Sequence, residues 1–232
     1  MRAIARDPLL FEPGTHWNYS LCHDVLAGLV EAVSGQTFGA YVRDHVLLPI
    51  GMTRSGYAIS EDMAQRMAPQ YCFNPKSNRP EPAKTANAYH LGPLYESGGA
   101  GLISSVDDLA RFAQTLCRKG KAENGTRILS SRTVDLMRAN HLGPTLMDDF
   151  HKCFSHMAGY GYGLGVHTMA DRAAGESLSP IGEFGWRGAA GTYMIIDPEN
   201  EVTIVYAQHM LGSHEPYVYY RLRNIVYACL DD

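Results

Sequence analysis

Two short stretches carry residue types able to do chemistry. Tyr19 closes an aromatic turn, PGTHWNYS at residues 13–20, just before a helical pattern. A phenol can pass protons. With a free pKa of about 10 it is a poor base at neutral pH unless positive charge lies nearby. The plainer alternative is a tyrosine packed at a helix entrance, its hydroxyl bonded to backbone. The second stretch is Trp186-Arg187-Gly188-Ala189-Ala190-Gly191. The planar fork of Arg187 suits a carboxylate. The small residues at 188–191 suit close approach of a substrate to backbone. Strand alternation would put Trp186 and Arg187 on opposite faces, which leaves a core aromatic and an outward arginine as the alternatives.

Other candidates carry less. His151, Cys153 and His156 form one cluster and His209 with His214 another, but neither spacing matches a standard zinc pattern, so no metal is expected. His23 lies four residues after Tyr19 and reads as a surface residue. Gly161-Tyr162-Gly163-Leu164-Gly165 belongs to a strand pattern rather than a strand-to-helix turn. No nucleotide cofactor is implied, and the expected cofactor set is empty.

The elements that would position these residues follow from periodicity. Val25, Leu26, Leu29, Val30 and Val33 fall at helical spacing and end at Ser34-Gly35. Thr37 caps a second helix with Phe38, Tyr41, Val42 and His45 on one stripe. Residues 53–95 hold five of the twelve prolines and read as a long surface excursion with short helical turns. Ser105 with Asp108 starts a helix carrying Leu109, Phe112, Ala113 and Leu116, and Ser130 or Ser131 starts another. From residue 160 glycine and β-formers dominate. Asp197-Pro198-Glu199-Asn200 is a turn between two strands of an antiparallel hairpin. Val218, Leu222, Ile225, Val226 and Cys229 share one face of a terminal helix. The expectation is an α+β fold: a helical region, an antiparallel sheet of at least three strands, and a packed C-terminal helix.

The order and wording of these pieces resemble serine β-lactamase-like hydrolases: class C β-lactamases, D-alanyl-D-alanine peptidases, also called penicillin-binding proteins, and related carboxylesterases. Phe11-Glu12-Pro13-Gly14-Thr15 with Tyr19-Ser20-Leu21 is similar to their Y-x-N region. Ser97-Gly98-Gly99-Ala100-Gly101-Leu102-Ile103-Ser104-Ser105 is similar to their mid-chain glycine segment. Gly185-Trp186-Arg187-Gly188-Ala189-Ala190-Gly191-Thr192 stands where they carry K-T-G or W-x-G. The resemblance runs from residue 8 to the terminal helix and implies a β-lactamase/transpeptidase-like fold. It implies that Tyr19 is the general base or the nucleophile's hydrogen-bond partner. It also implies that the Ala189 N–H is an oxyanion donor.

The departures carry as much weight. That family's nucleophile is the Ser of S-x-x-K, where Ser and Lys lie one helical turn apart. No serine here has Lys three residues on. The element should precede Tyr19, so the N-terminal part of the fold is expected to be missing. Lys84-Thr85-Ala86 is a degraded K-T-G without a strand around it and belongs to the loop. Leu21 in place of the Asn of Y-x-N, and Trp186-Arg187-Gly188 in place of K-T-G, argue against β-lactam or peptide turnover. They favour esters with an apolar acyl group, with Leu21, Trp186, Arg187 and Gly188 as substrate-binding residues.

Residues 1–232 are thus expected to form a single domain incomplete at its N-terminus: 1–158 mainly helical, with the 53–95 loop, and 159–232 the sheet and last helix. The chain alone is expected to be inactive, or to be a non-catalytic binding module. An uncovered groove and strand edge would lead to homo-oligomers or to pairing with a complementing N-terminal fragment.

Composition agrees with a folded domain. Of the 232 residues, 45% are hydrophobic and 19% charged, which excludes general disorder. The formal charge is −4 with no basic run, so no nucleic-acid partner is expected. No 18-residue apolar stretch suggests a membrane span. The expected partner is a small-molecule ester or acyl substrate. Five cysteines at wide spacing with no C-x-x-C read as free thiols, and residues 1–12 lack signal-peptide features. A cytoplasmic location is expected if Met1 is the true start.

Overall fold

Sequence punctuation sets most helix ends. The computed structural model describes residues 4–84, 95–212 and 215–230. Helix α1 (Cys22–Ser34) stops at Gly35, which adopts the left-handed conformation at φ +71° and returns its N–H to Glu31 O. Thr37 caps α2 (Phe38–Val42) by accepting from the Ala40 N–H. A wide turn (Arg43–Leu47) and a tight one (Leu48–Ile50) carry the chain to Gly51. Serine side chains cap the next helices in the same way: Ser60 for α3 (Glu61–Arg66), Ser105 for α4 (Val106–Cys117) and Ser130 for α5 (Ser131–Met137). Pro144 opens α6 (Pro144–Cys153), a helix absent from the periodicity reading.

Residues 53–84 are more ordered than expected. Besides α3 they contain an antiparallel hairpin, β1 (Tyr71–Asn74) and β2 (Arg79–Pro82), with Tyr71 opposite Pro82. Pro80 and Pro82 masked the second strand. Proline lacks a ladder donor but is tolerated on an edge, and β2 is an edge.

The main sheet has five antiparallel strands in sequence order: β3 (Tyr160–Tyr162), β4 (His167–Met169), β5 (Phe184–Arg187), β6 (Tyr193–Asp197) and β7 (Val202–Tyr206). The turn expected at 197–200 joins β6 to β7, with Ile195 opposite Ile204. Next, β8 (Met210–Leu211) leaves this sheet and runs parallel to β1. Helix α4 packs on the sheet through Ala113, Leu116 and Cys117 against Phe184 and Ile196. Helix α7 (Glu215–Ala228) packs on it through Tyr219, Leu222 and Val226 against Tyr193, Ile195 and Ile204.

Two helical faces differ from expectation. On α7, Leu222 and Val226 pack inward as expected, but Ile225 is exposed, as is Cys229 just past the helix, and the buried residues are Tyr219, Arg223 and Tyr227. Hydropathy misplaced that face because tyrosine and arginine can bury long apolar bodies once their polar tips are bonded. On α1, Leu29 is 55% and Val33 81% exposed, with Val25 and Leu26 also open, while Asp24 and Ala27 are buried. Nothing among the described residues covers that apolar stripe.

Candidate functional site

The Tyr19 segment is fixed from both ends. Gly14 turns the chain at φ +86°, and the Thr15 hydroxyl closes the turn onto Glu12 O at 2.7 Å. The Asp149 carboxylate on α6 then accepts from the Trp17 N–H at 3.2 Å and lies 2.8 Å from His16 Nδ1. The His16 contact, followed by the Trp17 bond, holds the Asp149 carboxyl below its usual range. Trp17 docks edge-on to Phe150, Phe154 and Tyr162. Tyr19 follows on the rim of this cluster, 49% exposed and available to solvent.

The structure brings Tyr19 and Trp186 together. Their rings stack with centroids 5.9 Å apart, and Phe154 meets both edge-on. Arg187 converges on the same point despite strand alternation. Its guanidinium lies 5.7 Å from the centre of the Phe154 ring. Phe154, at the C-terminal end of α6, thus touches both neighbours on β5. Leu21 is the exposed N-cap residue of α1. His23 meets the β3–β4 turn instead of Tyr19: a Cβ on Gly165 would come within 2.8 Å of its Nε2.

Gly188 and Ala189 form the exposed tip of the β5–β6 hairpin. The Gly188 N–H donates to Thr192 O, and the Gly191 N–H donates to Gly188 O at 3.0 Å. Gly191 needs its left-handed φ of +95° to close this turn. The Met210 N–H ties down Ala190 O at 2.9 Å. No described acceptor takes the Ala189 N–H, which lies exposed on this anchored turn.

Burial controls the titration around the cluster. Tyr162 is pushed up to about 12, first by burial and then by Tyr19 and Cys22, so it stays a neutral phenol. Burial and then Arg187 push His156 down to about 4, so it is neutral at pH 7.

The glycine segment serves α1. The buried Asp24 carboxylate accepts from Ser97 Oγ at 2.7 Å and Tyr95 Oη at 2.8 Å. Gly98 lies against the His23 carbonyl with no room for a side chain. Sequence reasoning missed Asp24, whose only signal was its place in the first turn of α1. It also missed Asp149, Phe154 and Tyr162, which gather only in three dimensions.

The histidine clusters disperse. His151 Nε2 bonds to Tyr160 O, and His209 Nδ1 bonds to Ala68 O. No group of three potential metal ligands exists among the described residues. His214, Thr85 and Ala86 lie outside the described residues. Among those described, no single helix is long and apolar enough to cross a membrane.

Helices on both sides of an antiparallel sheet, with a tyrosine turn entering the first long helix, define the β-lactamase/transpeptidase-like fold of serine hydrolases. The family model described as Beta-lactamase matches residues 1–226, and the chain belongs to that family. It is 30% identical over 209 residues to Protein Rv1367c of Mycobacterium tuberculosis, covering 89% of this chain and 52% of that one. It is 28% identical over 217 residues to Esterase EstB of Burkholderia gladioli, covering 85% and 50%. The solved structure of EstCE1, described as a hydrolase with promiscuous acyltransferase activity, superposes with a TM-score of 0.80 at 26% identity, covering 97% of this chain and 60% of that chain. The chain spans about half the length of the curated relatives it matches.

Proposed function

We propose that residues 1–232 are the tyrosine- and oxyanion-bearing portion of an esterase-type serine hydrolase domain whose nucleophile comes from outside them. The carrying observation is the Tyr19–Trp186 stack on the strand that leads into the exposed Ala189 N–H. In the completed site a serine attacks an ester carbonyl. Tyr19 exchanges the serine proton, and the Ala189 N–H is one donor to the oxyanion. Water or an alcohol then releases the acyl group. Leu21, Trp186 and Gly188 face an apolar acyl group, and the Arg187 guanidinium beside Phe154 meets its polar end. The family's S-x-x-K is absent from these residues, so the chain alone turns over no ester by an acyl-enzyme.

Intact mass before and after a fluorophosphonate probe tests this reading. The expected result is an unchanged mass. A single stoichiometric adduct would place an activated serine within the chain and overturn it. Ester hydrolysis lost on Tyr19→Phe would do the same.

The bare α1 stripe supports a further part of the proposal: a complementing segment, or a second copy, covers it. The outer edge of β7 is likewise unpaired among the described strands. Sedimentation should show self-association, and a monodisperse monomer with a high Tm would count against it. The same missing motif favours a second reading, a binding module that keeps the cleft without turnover. Saturable binding of an acyl ester, with no turnover after an N-terminal fragment is added, would select it.

A further inference from the structure

The sheet face beneath α7 holds ionisable groups that the proposed chemistry does not use. Glu183, just before β5, is 1% exposed. Its Oε2 accepts from Tyr160 Oη at 2.9 Å and from Ser179 Oγ at 2.8 Å. The Tyr160 hydroxyl accepts in turn from Arg223 Nη1 at 2.8 Å. Arg223 is fully buried and also donates to Gly175 O at 3.1 Å. One network therefore joins β3, the 170–183 loop and α7.

Its last corner is unfinished. Glu183 Oε1 and both ring nitrogens of His167 are buried without a hydrogen-bond partner among the described residues. Oε1 and Nε2 lie 4.0 Å apart. The charged groups facing the pair are Arg223 from α7, Arg187 from β5 and Asp197 from β6. The phenols around it are Tyr160 from β3, Tyr193 from β6, and Tyr220 and Tyr227 from α7.

Burial opposes charge on both members. It pushes Glu183 up to about 7, against the pull of Ser179, Tyr160 and Arg223. It pushes His167 down to about 3, helped by Arg187 and Arg223. Below about pH 7 and above about pH 3 the 4.0 Å contact is therefore between neutral groups and is not an ion pair.

We propose that Glu183 and His167 are a buried proton-exchange pair that clamps α7 and the 170–183 loop to the sheet in mildly acidic conditions. In the unfolded chain the imidazole holds the proton and the carboxylate is ionised. In the folded chain the proton is on the Glu183 carboxyl and the imidazole is neutral. One proton is bound in either state, so folding takes up none.

The raised carboxyl stabilises the fold below its unfolded value of 4.5, and that contribution is lost as pH rises through about 7. The depressed imidazole stabilises above its unfolded value of 6.5, and that contribution is lost as pH falls toward about 3. Between 4.5 and 6.5 the two slopes cancel.

Equilibrium denaturation of the full chain across that window tests the pair. Relative to the parent, Glu183→Gln should gain a folded-to-unfolded ratio that rises with pH, by up to about tenfold per pH unit. His167→Gln should gain the opposite slope of similar size. A variant profile parallel to the parent overturns the proposal. If either variant fails to fold, carbon-13 NMR of the Glu183 carboxyl in the parent decides. A protonated carboxyl at about pH 5.5 supports the pair, and an ionised one overturns it.

Discussion

Helices α1 and α7 each turn apolar side chains outward and bury a charged one, but for different reasons. Helix α1 exposes Leu26, Leu29 and Val33 and buries Asp24, whereas α7 exposes Ile225 and buries Arg223, Tyr219 and Tyr227. Hydropathy alone would bury Leu29 and Val33 of α1 and Ile225 of α7, and would leave Asp24 and Arg223 outside. The difference lies in what each helix has to face. The sheet beneath α7 supplies partners for polar tips: Tyr160 and two loop carbonyls for Arg223, and Asp197 for Tyr227 at 2.8 Å. Helix α1 meets α2 at its C-terminal end and the glycine segment on its Asp24 side, where Ser97 and Tyr95 bond the carboxylate, and its Leu26, Leu29 and Val33 stay open. A polar group is stable inside when it is bonded, and an apolar group stays outside when nothing covers it.

The contrast is breakable at four points, taken from the largest effect down. Arg223→Ala should cost about 3–5 kcal/mol in chemical denaturation, because it opens a buried network, removes the donor to the Tyr160 hydroxyl and leaves the Gly175 carbonyl unsatisfied. A loss under about 1 kcal/mol would mean that α7 is held by its apolar contacts alone. Asp24→Ala should cost about 1–3 kcal/mol and loosen the glycine segment, read as faster amide exchange at Gly98 and Gly99.

Next comes a pH effect at the candidate site. The folded value of His156 is depressed, so its contribution is present above pH 6.5 and is lost as pH falls through about 4. His156→Phe should remove that part of the acid loss of stability. An unchanged acid limb would refute the burial of this imidazole. Smallest of all, Leu29→Gln on α1 should change monomer stability by no more than about 0.5 kcal/mol while weakening self-association in sedimentation. A large stability loss would mean that the stripe is covered within the monomer.

The candidate site was partly legible from residues alone. Tyr19 and Trp186 were both singled out, and they meet. Resemblance made the Ala189 N–H an oxyanion donor, and it lies at the exposed tip of the β5–β6 hairpin. Phe154, which joins Tyr19, Trp186 and Arg187, was not legible. It follows a helix whose pattern offers little beyond Leu146 and Phe150, and its partners are distant in sequence. Asp149 was hidden for the same reason, since a carboxylate on a helix reads as a solvated charge until something docks on it.

Local rules determined the helix starts at Thr37, Ser60, Ser105 and Ser130, the stop at Gly35 and the β6–β7 turn. Capping and turn chemistry act within a few residues, so they can be read in one dimension. The family, too, was readable from three short motifs in order. Tertiary structure alone decided which face of α1 and α7 is inside, why Arg187 joins the aromatic cluster, and how Glu183 comes to lie 4.0 Å from His167. Burial and bond satisfaction are set by groups far apart in the chain, and no local pattern encodes them.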